Sequence, residues 1–155
     1  MYVVRILCPS ETSIMHSAST ISLSDSFDSH LAPMNEMERL DALHKLRILD
    51  TPAEKSYDDI VQLASRICEA PISAVSLIDS DRQWFKAKIG VDVSETPRNV
   101  SFCSHVVHQK SRLIVPDASM DPRFSRNSLV VESPNIRFYA GAPIVASSGF
   151  ALGAL

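Results

Sequence analysis

Residues 136–145 run Ile136-Arg137-Phe138-Tyr139-Ala140-Gly141-Ala142-Pro143-Ile144-Val145, and they constrain this chain more than any other stretch. Phe138, Ala140, Ala142 and Ile144 alternate with Arg137, Tyr139 and Val145, the two-residue period of a strand that buries one face. The pattern predicts a central strand with something packed upon it. Small residues at 140–142 leave room above the pleat, and Arg137 and Tyr139 can project polar tips towards whatever fills it. A sheet builds the floor of a small-molecule pocket in this way, and Ser101-Phe102-Cys103-Ser104-His105 upstream is its expected companion.

At 155 residues the chain is long enough for one domain whose core needs neither metal nor disulfide. A net charge of −3 and the lack of a basic stripe argue against nucleic-acid binding, which needs clustered Lys and Arg. Cys8, Cys68 and Cys103 are scattered, so neither a disulfide framework nor a C-x-x-C zinc site is suggested, and a cytoplasmic location is expected. The apolar opening Met1–Cys8 is too short for a signal peptide and is interrupted by Pro9, Ser10 and Glu11. No segment approaches the roughly 20 apolar residues of a membrane span, so no membrane contact is expected of this chain.

Residues 1–33 are Ser-rich, lack a sustained apolar period and are expected to be disordered, with Met34 as a candidate natural start. From there Met37, Leu40, Leu43, Leu46 and Leu49 mark a narrow apolar seam on a first helix. Thr51-Pro52-Ala53-Glu54 has the form of a capping box opening a second helix to about Cys68. Its single buried face is expected to carry Tyr57, Ile60, Val61, Ala64, Ile67 and Cys68. Runs 72–79 and 83–89, joined by Ser80-Asp81, read as an antiparallel hairpin, with Asp79 and Asp81 as turn formers. In the second run Trp84, Lys86 and Lys88 should share one face, and Phe85, Ala87 and Ile89 the other. Beyond a loop at 91–101 come a short helix through His108, a strand at 113–116, a turn or short helix from Asp121-Pro122, and the strand at 136–146. Ser147-Ser148-Gly149 then turns into the start of a hairpin partner at 150–155. The sequence stops inside that apolar run, so a fragment of a longer protein is expected.

In this order the pieces resemble the GAF family of small-molecule-sensing domains, in the variety found in bacterial sensor histidine kinases and diguanylate cyclases. The resemblance rests on Glu38-Arg39-Leu40, Ile48-Leu49-Asp50-Thr51-Pro52, Ala74–Asp79 with Arg82-Gln83-Trp84-Phe85-Lys86, and Pro97-Arg98 with Ser101–His105. Val115-Pro116-Asp117-Ala118, Asp121-Pro122-Arg123-Phe124, Ile136–Pro143, Gly149 and Leu152-Gly153 complete it. It implies an α+β fold related to PAS domains: an antiparallel sheet flanked by helices, with a pocket between the sheet and residues 91–130. It also implies a GAF domain over 34–155 that lacks the end of its last strand and a closing C-terminal helix. That helix would pack beside the first, whose seam is also a candidate homodimer contact. Output chemistry would belong to a separate domain of the parent chain, such as a kinase or a cyclase.

Cys103 and His105 invite a chemical reading, since a thiolate beside an imidazole can be a nucleophile, a metal ligand or a chromophore attachment point. With His108 they give three ligands, but no fourth stands at a matching spacing, so no metal is expected. Bilin-binding relatives place cysteine next to histidine, whereas Ser104 intervenes here, and covalent bilin or haem is disfavoured. The family includes free-methionine-sulfoxide reductases, whose clustered active-site cysteines have no counterpart here. A thiol redox enzyme using Cys103 is therefore the weakest reading. The leading expectation is a noncatalytic, regulatory, ligand-sensing domain, its unidentified small molecule bound by Phe102, Cys103, His105, Asp117, Phe124, Arg137 and Tyr139. Two blander readings stand beside it: Arg137 paired with Asp117 or Asp121, and a self-filled module that serves only to dimerise.

Overall fold

The computed structural model describes residues 32–155, with side chains from Glu36 onward. Helix α1 spans Ala32–Lys45, and the expectations for residues 1–31 lie outside the described residues. Helix α2 (Lys55–Ile67) leads into the hairpin β1 (Ser73–Ile78) and β2 (Arg82–Ile89), followed by the short β3 (Glu95–Pro97). A 3-10 turn at Arg98–Val100 precedes α3 (Phe102–Gln109) and β4 (Leu113–Val115). The chain ends with α4 (Ser128–Val131), β5 (Tyr139–Gly141), β6 (Pro143–Val145) and β7 (Ala151–Ala154). The antiparallel order β3-β2-β1-β7-β6 makes one five-stranded sheet, and β4-β5 makes a second, two-stranded one. This is the α+β architecture that the sequence suggested.

Helices α1 and α2 cover one face of the large sheet. Leu43 packs with Leu77, Trp84 and Leu152, and Val61 packs with Val75 and Ala87. On the opposite face Val107 of α3 meets Ile78 and Ala151. A larger cluster joins Phe102, Val106, Leu113, Val115, Phe124 and Ala154 there. Each of the larger side chains, such as Leu43, Val61, Val106 or Phe124, contributes about 1.5–3 kcal/mol when removed from water, so the sheet is held from both sides.

The stretch 136–146 is not one central strand. Its first half, β5, pairs with β4, and its second half, β6, lies at the edge of the large sheet beside β7. Pro143 begins β6, and its missing N–H suits the first residue of an edge strand and not the middle of a ladder. Just before it Ala142 exchanges both backbone hydrogen bonds with Leu155, at 2.8 and 3.0 Å, which fixes the point where the chain changes sheets. The strand at the centre is β1. The turn into β7 is the expected one, with Gly149 at φ +84.

Period-two reasoning also fails within β2. The register shifts opposite Val75/Ser76, so that Phe85 faces Ser76 but Ala87 faces Val75. The bulge resets the alternation, as bulges do. Ala87 and Ile89 therefore join Val61 on the same sheet face as Trp84, while Lys86 is buried between them. The helix patterns are only half realised. Met37 and Leu46 on the first seam are exposed, as are Ile60 and Ile67 on the second helix, because α1 buries Arg39 and packs Leu43 on the sheet and α2 turns Val61 inward.

The capping box does not form. Thr51 Oγ1 donates to the Ile48 carbonyl at 2.7 Å, closing the turn after α1, and α2 starts at Lys55 with no side-chain cap from Glu54. Glu54 and Thr51 serve Lys86 instead. Its ammonium reaches Thr51 Oγ1 at 2.6 Å, the Pro52 carbonyl at 2.9 Å and Glu54 Oε1 at 2.6 Å, with the rings of Tyr57 and Trp84 beside it. All three N–H donors of the lysine thus meet oxygen, which is what allows a fully covered ammonium.

Candidate functional site

Helix α3 is set by Ser101, whose Oγ accepts the Ser104 amide at 3.1 Å, and it stops at Lys110, which takes a left-handed φ of 50. Between these ends Phe102 and Val106 face the second sheet. The Phe102 ring stacks on Phe124 at 4.1 Å between centroids and lies 5.0 Å from Tyr139, while His105 meets the edge of Phe124 at 4.8 Å. Tyr139 Oη donates to Cys103 Sγ at 3.3 Å. Five of the residues singled out from the sequence, Phe102, Cys103, His105, Phe124 and Tyr139, are thus brought into one aromatic-lined cluster.

The cluster fills the space that the small residues of β5 leave open. The Tyr139 hydroxyl lies where a Cβ on Gly141 would stand, so the room above the pleat is taken by the strand's own tyrosine. Burial pushes the Cys103 thiol up, against opposing hydrogen bonds from Ser76 and Tyr139, and the thiol form persists at neutral pH. Burial likewise carries the Tyr139 phenol well above its ordinary value, with Cys103 adding to the effect. Desolvation lowers the His105 imidazole, and the nearby Arg123 and His108 lower it further, so the ring is neutral at pH 7. Cys103 and His105 do not form a dyad. The thiol is bonded to Tyr139, while the imidazole packs on Phe124. Among the described residues no group of three His, Cys, Asp or Glu could hold a metal ion.

Arg137 and Asp117 stand at the margin of this cluster. Arg137 Nη1 donates to the carbonyls of Val130 at 2.9 Å and Ile136 at 3.1 Å, tying α4 to the approach of β5. The pairing of Arg137 with Asp117 or Asp121 does not form. Asp117 Oδ1 accepts from the Ser119 amide and hydroxyl at 2.9 and 2.6 Å, and Asp121 holds Arg123 at 2.6 Å. Both aspartates find donors two residues along the chain, a short-range closure that a distant arginine cannot match.

Two open clefts flank the sheet's other end. One, of about 480 Å³, is lined by Asp81, Arg98, Asn99, Ser101, Ser104 and His105. The other, of about 310 Å³, is lined by Leu43, His44, Arg47, Ile48, Asp79 and Arg82. A charged network joins them. His44 Nε2 lies 2.9 Å from Asp79 Oδ1, and Arg82 bridges Asp79, Asp50 and Glu95 at 3.3, 2.7 and 2.7 Å. Burial pushes the Asp79 carboxyl up, but hydrogen bonds from His44, the Ser80 amide and Arg82 outweigh it and leave it below its ordinary value. Asp79 accepts the Ser80 amide at 2.9 Å as a turn former should, and it also anchors α1.

Arg98 carries a second link to α1. Its Nη1 donates to Glu36 Oε1 at 2.7 Å, to the Asp79 carbonyl at 3.0 Å and to the Ser80 carbonyl at 3.2 Å. Glu36 is also gripped by Arg39 through Nε at 2.9 Å and Nη2 at 2.8 Å. Burial acts to raise the Glu36 carboxyl, but the two arginines prevail and hold it at about 2. Sequence reasoning gave no role to Glu36, Arg98 or Lys86. Pro97-Arg98 was visible as a motif, but only the fold brings residue 36 to residue 98.

Comparison with known proteins agrees with this architecture. The chain is 40% identical over 123 residues to a cyclic di-GMP phosphodiesterase of Pseudomonas aeruginosa; the match takes in 79% of this chain and 21% of that protein, so the chain spans about a fifth of its relative's length. Among solved structures, the GAF domain of a phosphoenolpyruvate-protein phosphotransferase from Coxiella burnetii superposes with a TM-score of 0.53 at 16% identity, covering 78% of this chain and 75% of that one. A type II free methionine-R-sulfoxide reductase from Thermoplasma acidophilum gives 0.52 at 14% identity, covering 64% and 69%. Identities this low speak for the fold alone. The family model of the GAF domain matches residues 52–155, and with the two-sided sheet and the α3 cluster it fixes the assignment: the chain belongs to the GAF domain family.

Proposed function

We propose that this chain is a noncatalytic regulatory domain of a bacterial, cytoplasmic signalling protein, in which a small molecule bound on the α3 side of the sheet biases helix packing towards an output domain. The likeness to a cyclic di-GMP phosphodiesterase favours an output in cyclic di-GMP turnover over a histidine kinase. The observation that carries the reading is the aromatic cluster of Phe102, His105, Phe124 and Tyr139, with Arg137 at its margin. Flat rings and a guanidinium suit a planar or anionic ligand. Cys103, partly buried and held as the thiol at neutral pH, speaks against thiol catalysis, because the thiolate is the nucleophile. No described helix is long and apolar enough to cross a membrane.

The Phe102–Phe124 stack and the placement of Tyr139 over Gly141 favour a second reading, an interaction module whose interior is filled by its own side chains. A ligand would then have to displace the rings. Thermal unfolding against cyclic di-GMP, other cyclic nucleotides and amino acids separates the two. Sensing predicts a saturable rise in Tm that is lost in Arg137→Ala. No rise with any of these compounds would leave the self-filled module standing.

A further inference from the structure

We propose that the cleft beside α3 is a binding site for a small phosphate or carboxylate group, and that filling it loosens α1 by competing with Glu36 for Arg98. This goes beyond the sensing reading, since it turns on Arg98 and Glu36 and not on the stacked rings or Arg137; His105 is the one residue the two sites share.

Arg98 lines the cleft, and every side-chain bond it makes to the described residues leaves from Nη1. Its Nε and Nη2, the side-on edge that grips a carboxylate or phosphate bidentately, carry no bond to a described residue. The neutral His105 imidazole lines the same space and can offer its ring N–H to an anion, while the Ser101 and Ser104 hydroxyls on that lining already donate to Gln83 and to the Arg98 carbonyl. Asp81 is the one acidic group on that lining, and it opposes the ligand.

The consequence for α1 follows from how Glu36 is held. Its carboxylate has two arginine partners, and Arg39 already grips it through two bonds. An anion arriving on Arg98 places a second negative group on a guanidinium that Glu36 shares. Repulsion then weakens the Glu36–Arg98 link, while Arg39 keeps the glutamate satisfied on its own helix. The bond that breaks is the one joining α1 to the loop before α3. Linkage makes the effect reciprocal, so weakening Glu36 must strengthen the anion.

The test is a titration of inorganic phosphate into the ¹⁵N-labelled chain at pH 7 and constant ionic strength, read by amide shifts and hydrogen exchange. Saturable shifts are expected at Asn99, Ser101 and His105, with faster exchange at Arg39–Leu43 once the site is full. Arg98→Lys should weaken binding about tenfold, because lysine cannot present the two-pronged edge. Glu36→Gln should tighten it about fivefold or more, and Asp81→Asn should tighten it as well. Arg137→Ala should leave it unchanged, which separates this site from the aromatic one. Shifts that never saturate, an affinity unaltered in both Arg98→Lys and Glu36→Gln, or α1 exchange that stays constant at saturation would overturn the proposal.

Discussion

The two faces of the large sheet are secured by different physics. On the α1/α2 face, polar anchors do much of the fixing: Lys86 in its cage of oxygens, Glu36 between two arginines, His44 on Asp79. They work beside the apolar contacts of Leu43 and Val61, while Ile60, Leu63 and Ile67 of α2 look outward. On the α3 face, stacked rings and branched side chains fill the space, and the few polar groups are turned inward to one another. Ionic anchors are directional and can be exchanged for other partners, whereas a packed aromatic cluster resists change until it opens as a unit. The face with exchangeable anchors is thus the better suited to transmit a signal through its helices.

The sharpest way to break this contrast is Phe124→Ala. If the α3 face is a filled interior, truncating a fully buried ring in a 4.1 Å stack should cost about 3–5 kcal/mol in urea unfolding. A loss below about 1 kcal/mol would mean that the cluster collapses easily and is not the rigid half. Lys86→Met probes the opposite face. It keeps the bulk but removes three charge-assisted bonds, and a loss of about 2 kcal/mol is expected by the same measurement.

The Glu36 anchor predicts a pH dependence. Its folded carboxyl sits at about 2 against an ordinary 4.5, so the stability it adds is present above about 4.5 and is lost as pH falls towards 2. Urea midpoints between pH 6 and pH 3 should therefore fall less steeply in Glu36→Gln than in the parent chain. The smallest effect is expected for Leu63→Ser on the outer side of α2, within about 0.5 kcal/mol because the residue is exposed. A larger loss, together with a change in sedimentation, would show that a second copy covers that stripe.

Much of the fold was legible because local chemistry and tertiary structure agree. The β1–β2 hairpin, the α3 helix after Ser101 and the Gly149 turn each rest on short-range signals: alternation, a hydroxyl cap, a glycine free to take positive φ. Candidate-site reasoning placed Phe102, Cys103, His105, Phe124 and Tyr139 near one another, since the companion segments packed as expected. It failed where a long-range partner outbid a local one. Thr51 and Glu54 would cap a helix in isolation, but a buried lysine some thirty residues on claims both. Arg137 finds backbone carbonyls instead of an aspartate, because Asp117 and Asp121 close on their own neighbours first.

The sequence by itself determined the first two helices, the β1–β2 hairpin and α3, which depend on periodicity and turn chemistry within a few residues, and its motifs carried the resemblance to the family; it missed β3 inside the expected loop at 91–101 and the short α4. Only the tertiary structure decided that 136–145 divides between two sheets at Pro143, that a bulge turns Ala87 inward, and that Glu36 meets Arg98. Those outcomes depend on which distant atoms compete for the same hydrogen-bonding group or the same volume, and no window of sequence contains both competitors.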